Sequence, residues 1–317
     1  MYAKYAYTPA ATQANIMSDL VALLTGQTNK ASLSAGCDQE NTEIIATIPS
    51  GWTLHDAAAG TNKQVLKAPF SYNGSLFKYL MLDHYVATEI TLYGYETWNE
   101  VSHTGTNQTQ NLTNNTQRKG NGVAGVFFVF ASAKFVALVG TDYTSWGDVA
   151  YGGITIFSEY TRDTPWSATT LPHAALIQTG ACISQSTGDY AWAFPIKALD
   201  KIGNMLTGLD ARAQLATIGV ILGFNGYATA SLFPNGGDYN TKDGLGNELT
   251  PLFPMYLVKP NVYGIPLGNF SVADFWLLPN NVIGNLTTFQ YTGLDYIAVR
   301  CSGISTDPGN RIAFPKR

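Results

Sequence analysis

The chain has 317 residues, of which 13% are charged, about half the usual share, and 18 basic against 22 acidic side chains leave a net charge of −4. No basic stripe could follow a phosphate backbone, which excludes nucleic acid as a ligand, and the few, widely spaced Cys37, Cys182 and Cys301 provide neither a disulfide framework nor a metal cage. Abundant Gly, Tyr, Phe, Thr and Asn predict strands and tight turns, and the scarcity of charge predicts an amide- and hydroxyl-coated surface or burial against other subunits. The N-terminal MYAKYAYTPAATQ has no apolar run of the kind that directs secretory export.

The first predicted element is an amphipathic N-terminal helix over Pro9–Thr25. Thr8 is its cap, Gly26 its terminator, and Ile16, Met17, Leu20, Val21, Leu23 and Leu24 form its apolar stripe. Within that stripe Ile16, Leu20 and Leu24 are candidate assembly residues, able to pack on the chain's own sheets or on a partner. Short strands follow at Val65–Ala68, Phe77–His84, Glu89–Tyr95, Val126–Phe130, Phe135–Val139 and Ile154–Tyr160. Leu80 and Leu82 alternate with Tyr79 and Met81, as in a sheet covered on both faces. Ser102–Asn121 is polar and of low complexity, which predicts a loop or an arm that orders on a partner. A short helix is predicted over Ile196–Leu209, and strands at Ile218–Phe224, Met255–Val258, Phe275–Leu278, Tyr296–Cys301 and Ile312–Phe314.

The fold class expected is mainly β, an antiparallel sandwich or jelly roll with an N-terminal amphipathic helix and long polar loops. The expected division is a helix-bearing docking segment at 1–50, a β-sandwich domain at 51–195 and a continuation or second β-rich domain at 196–317.

Templates for chemistry are missing: there is no nucleophile elbow, zinc-protease helix, phosphate loop or dinucleotide fingerprint. His55, His84, His103 and His173 are isolated in sequence, so no metal site or cofactor is expected. Asp83, Glu89, Glu96 and Glu100 could in principle supply the carboxylate pair of a glycan-cleaving enzyme, with Glu89 and Glu96 the leading candidates. The run from Asp238 to Gly244 approaches a calcium loop but is one residue out of step and carries Lys242. Tyr143, Trp146, Tyr151, Tyr160 and Trp166 surround turn glycines and suit subunit interfaces or sugar rings, and Tyr143, Trp146, Tyr151 and Trp166 are the candidate surface-contact residues. A non-enzymatic protein is expected.

The succession Gly51-Trp52, Asp56, Gly60, Val65-Leu66-Lys67-Ala68-Pro69 and Lys78-Tyr79, then FASAKFVAL at 130–138 and YGGITIFSEYTRDTPW at 151–166, resembles virion structural proteins of tailed bacteriophages, particularly tail- or baseplate-associated ones. SLSAGCDQENTEI at 32–44 and the closing IAFPKR at 312–317 fit the same resemblance. It implies a homo-oligomeric virion subunit assembled in the host bacterial cytoplasm, with other virion proteins as partners and no membrane insertion. It carries over no active-site residues. The alternative function is a virion adhesin that binds a bacterial surface glycan through Trp146, Tyr151 and Trp166, and a glycan depolymerase is a further alternative.

Overall fold

The computed structural model describes residues 1–47, 49–72, 74–86, 89–106, 108, 116–118, 124–141, 152–162, 174–179, 190–194, 197–199, 205–207, 214–216, 241–242, 248–249, 252, 256–258, 266–269, 273–278, 283, 286–300 and 311–317. Over these residues the chain is mainly β, with antiparallel pairing in every sheet. It opens with a strand, β1 (Tyr2–Tyr7), and the helix follows as α1 (Gln13–Leu24). Thr8 and Pro9 do not cap it: Thr8 donates its amide to the Gly36 carbonyl and Tyr7 bridges to Cys37, which keeps this stretch extended. The cap is Thr12, whose hydroxyl accepts the Asn15 amide at 3.1 Å while Asn15 Oδ1 accepts the Thr12 amide at 3.2 Å. Gly26, at φ 99°, takes the left-handed conformation beyond the last turn.

Strand β2 (Glu43–Ile45) returns beside β1. Next come β3 (Thr53–Gly60), β4 (Lys63–Tyr72), β5 (Leu76–Val86), β6 (Glu89–Tyr95), the hairpin β7 (Thr97–Asn99) and β8 (Thr104–Thr106), and β9 (Thr116–Arg118). The chain continues through β10 (Gly125–Ala131), β11 (Phe135–Thr141), β12 (Gly152–Glu159), β13 (Thr161–Arg162), β14 (Ala174–Thr179) and β15 (Tyr190–Phe194). One sheet has the order β15-β14-β12-β11-β10-β1-β2, and a second the order β3-β4-β5-β6-β9. The strands expected between Val65 and Tyr160 correspond to β4, β5, β6, β10, β11 and β12. The polar run Ser102–Asn121 contributes β8 and β9, because edge pairing gives its Thr-rich backbone partners that the side-chain pattern does not reveal.

Period-two alternation places Ala3, Tyr5, Phe127, Val129, Val136, Leu138 and Phe157 in one core with Leu66, Leu80, Leu82, Ile90 and Leu92 of the second sheet. Helix α1 lies in that same core and touches β1, β5 and β10. The opposite face of the seven-stranded sheet is also covered. Phe130 stacks on Phe314 at 4.5 Å and Phe135 meets Phe275 edge-on at 5.2 Å, joining a four-stranded sheet built from Trp276–Leu278, Arg311–Pro315, Leu294–Arg300 and Thr288–Tyr291. Every residue of β10 is buried, which is why GVFFVFA reads as an unbroken apolar run.

The stripe expected to serve assembly turns inward. Ile16, Leu20 and Leu24 are all 0% exposed and pack on the chain's own sheets, so in this conformation they present no surface to a partner. The 1–50 segment accordingly shares one core with residues up to Leu176. Pairing of Thr161–Arg162 with residues 268–269 likewise crosses the border drawn near Pro195. Ile196–Leu209 contains no helix over its described residues. Lys197–Leu199 and Met205–Thr207 pair as antiparallel strands, tertiary pairing overriding a weak local preference.

Replacing Leu20 by alanine removes a fully buried side chain from between two sheets and is expected to lower the unfolding free energy by about 2–5 kcal/mol. Urea denaturation of the variant checks this, and an unchanged midpoint would contradict the placement of the helix.

Candidate functional site

Strand β3 is out of even step with β4. Leu54 faces Leu66 and Asp56 faces Val65, so His55 and Asp56 together oppose one position on the partner strand. Such a bulge re-aims side chains. The His55 ring lies 4.9 Å from Tyr79, and Asp56 meets Trp98, so both point to the face of the second sheet that turns away from α1. That outer face carries a small cluster of Val65, Met81, Tyr93 and Tyr95, with Ala59, Tyr79 and Trp98 packed against it.

Hairpin β7–β8 folds over this cluster. Trp98 meets Tyr95 edge-on at 5.0 Å, and a side chain at Gly105 would collide with the Tyr95 ring, so only glycine permits the approach. The hairpin is fixed to the far edge strand by one carboxylate. Asp56 Oδ2 accepts the Trp98 indole N–H at 2.9 Å and pairs with His103 Nδ1 at 2.8 Å, while its Oδ1 accepts the Ala58 amide at 2.9 Å. Beside it His55 Nδ1 lies 3.9 Å from Glu100 Oε2. His103 adopts φ 52°, a left-handed conformation that costs about 1 kcal/mol or more outside glycine and here swings the ring back onto Asp56.

Electrostatics follow from this packing. Burial raises the Asp56 carboxyl, but the bonds from His103, Trp98 and Ala58 outweigh it and leave the group below the usual carboxylate range. Burial pushes Tyr95 up to about 12, with Tyr93 and Asp83 adding to the effect. On the inner face Lys78, 2% exposed, sits 3.5 Å from Glu96, and burial draws its ammonium down against the opposing pull of that carboxylate.

A carboxylate on the imidazole Nδ1 is an arrangement that can orient a general base. Among the described residues, however, no hydroxyl or thiol is hydrogen-bonded to the His103 ring, and no group of three His, Cys, Asp or Glu is placed to hold a metal ion. Both Asp56 oxygens hold groups that tie down the hairpin or the bulge. The cluster acts as a clasp.

Of the candidates read from sequence, Tyr143, Trp146, Tyr151 and Trp166 lie outside the described residues, as do His173, Cys182, Cys301 and the Asp238–Asn240 stretch. Tyr160 is buried. Each of the three described candidate carboxylates faces a basic side chain. Asp83 pairs with Lys63 at 3.5 Å on the outer face, Glu96 pairs with Lys78 on the inner face and Glu100 faces His55; the Glu89 side chain lies outside the described residues. Cys37 is a buried thiol, raised by burial and 3.4 Å from the Thr42 hydroxyl. Sequence reasoning missed the clasp because Asp56 and His103 are 47 positions apart and no motif links them. It also missed Tyr291, which is 41% exposed and leans edge-on against Trp276 at 6.3 Å, next to a turn in which Thr292 and Gly293 have φ 50° and 78°.

Compared with known proteins, the chain matches no protein-family model and no curated protein.

Asp56→Asn is expected to destabilise the protein by about 1–3 kcal/mol near pH 7, since the amide weakens charge-assisted bonds to a buried acceptor. The native carboxyl titrates below its unfolded value of about 3.9, so its contribution is complete above that pH and is lost as pH falls through the folded value. Urea denaturation of both proteins at pH 7 and pH 3 should show a gap that narrows at pH 3; a constant gap would contradict the assignment.

Proposed function

We propose that this chain is a structural subunit of a tailed-bacteriophage particle, of its tail or baseplate, and acts by symmetric assembly rather than by catalysis. The observation that carries the reading is the stacking of apolar layers on both faces of β10 and β11, a stiff body whose titratable clusters are engaged in internal clasps. We read the two sheets that share the α1 core as a β-sandwich with a helix wedged at one end. The low charge and the resemblance of residues 51–166 to virion proteins support the same reading. Its partners are further copies of itself and other virion proteins, and its place is the particle assembled in the bacterial cytoplasm. Light scattering of the purified protein over a range of concentrations is expected to give a closed oligomer of fixed mass, and a monomer at every concentration would count against it.

A second reading, a glycan-binding adhesin, is favoured by Tyr291, an exposed ring braced by Trp276 and Tyr296 on the C-terminal sheet. Such rings stack on sugars. Tyr291→Ala is expected to weaken binding to host envelope glycans at least about tenfold, 1.4 kcal/mol, with the fold unchanged. Equal binding by the two proteins would remove Tyr291 from that role.

A further inference from the structure

We propose that residues 1–47 form an exchangeable unit, seated here on its own chain and, within an assembly, on the same seat of a second copy. The inference rests on the assembly reading above and names the contact through which copies would interlock.

The unit is held together by polar contacts of its own. Asp19, 3% exposed, accepts the Tyr5 hydroxyl, the Ser34 amide and the Ser34 hydroxyl, each at 2.7 Å. The Thr42 hydroxyl accepts the Ala6 amide at 3.1 Å, and Lys30 Nζ donates to the Gln39 carbonyl at 2.7 Å and the Thr42 carbonyl at 3.2 Å. β1 and β2 pair within it. Toward the rest of the chain it turns complementary surfaces of another kind: the free edge of β1, which pairs with β10 from Tyr2↔Phe130 to Tyr7↔Gly125, and the apolar face of α1.

The seat cannot be left open. Without residues 1–47, strand β10 would become the edge of its sheet, and Phe127 and Val129, which share a core with α1, would lose that cover, leaving a template for uncontrolled association. Only a segment with the register of β1 and the stripe of α1 fills it, and the chemistry that meets this need is another copy of residues 1–47. One connection leads out of the unit. Ala46, Thr47, Pro49 and Gly51 are exposed, Gly51 is left-handed at φ 74°, and the tether is pinned at two points: the Trp52 indole donates to the Ser132 carbonyl at 2.9 Å, and the buried Ser50 hydroxyl donates to the Leu24 carbonyl of the unit at 2.8 Å, a bond that full extension of the tether gives up. A segment of that length spans about 25 Å when extended. Apart from the Ser50–Leu24 bond of the tether itself, exchange preserves the contacts on both sides, so the balance between closed and exchanged forms is set mainly by local concentration, which a symmetric assembly raises.

Met1 and Ala131 exchange both backbone hydrogen bonds, and alternation along the ladder therefore makes Ala6↔Val126 a pair without hydrogen bonds, the geometry in which facing side chains are closest. One chain carrying Ala6→Cys and another carrying Val126→Cys are refolded together and oxidised, with the unsubstituted protein treated in parallel to account for native thiols. Covalent heterodimers on a non-reducing gel, at least about tenfold above either chain alone, are expected. A single chain carrying both substitutions shows whether the pair can close, and Lys4→Cys with Phe128→Cys, the next equivalent pair, serves if the first does not fold. Oligomers by light scattering without heterodimers would overturn exchange and leave the assembly reading standing; monomers with bonds only inside each chain would overturn both.

Discussion

The seam between α1 and the two sheets sets the spacing of the layers around it. Ile16, Leu20, Leu23 and Leu24 are each 0% exposed and meet side chains from both sheets, so the separation of the sheets at that end is fixed by one helix diameter of apolar packing. The pairing of β1 with β10 locks the helix in register: once Tyr5 faces Phe127, the short loop to Thr12 leaves α1 little freedom to slide. Away from the helix the sheets close on each other directly, where β9 touches β11 and β12 and β6 touches β14.

Two of the buried carboxylates are matched donor by donor, whereas, among the described residues, Gln64 Oε1 and Asp83 Oδ1 are buried without a hydrogen-bond partner. Asp19 has three donors and Asp56 three more, so each carboxylate replaces its lost hydration with fixed partners. Lys78 is the exception in kind, a buried ammonium facing a single carboxylate at 3.5 Å. A pair of this type adds less to stability than its charges suggest, because desolvation offsets most of the attraction. Its effect lies in fixing where the end of β6 sits on β5.

Much of this was legible in the residues. β4 to β6 and β10 to β12 announce themselves by apolar runs and turn residues, and Gly26 by its place after the stripe. The helix was legible, but its start was not, because whether Thr8 or Thr12 caps it depends on contacts of Thr8 with Gly36, which no local pattern encodes. The inward direction of Ile16, Leu20 and Leu24 was equally hidden: a stripe states that something apolar lies opposite, not whose it is. The strands at Lys197–Leu199 and Met205–Thr207 read as helix because their apolar spacing fits both periods over so short a span. The clasp was invisible for a different reason. Asp56, Trp98 and His103 become neighbours only after a bulge in β3 and the fold-back of a hairpin, neither of which has a signature in composition.

The pairing of Met1 with Ala131 spans 130 positions, and this has a meaning for the order of events on the ribosome. The strand that completes the seat of the helix is synthesised about a hundred residues after the helix itself. Until then the leucines of α1 can be covered only from the side of β5, and the other side stays open to transient contacts. A topology that joins the first strand to the tenth also concentrates its closure cost in one late, long-range step. Slow folding is thus written into the same strand order that makes the finished interior rigid.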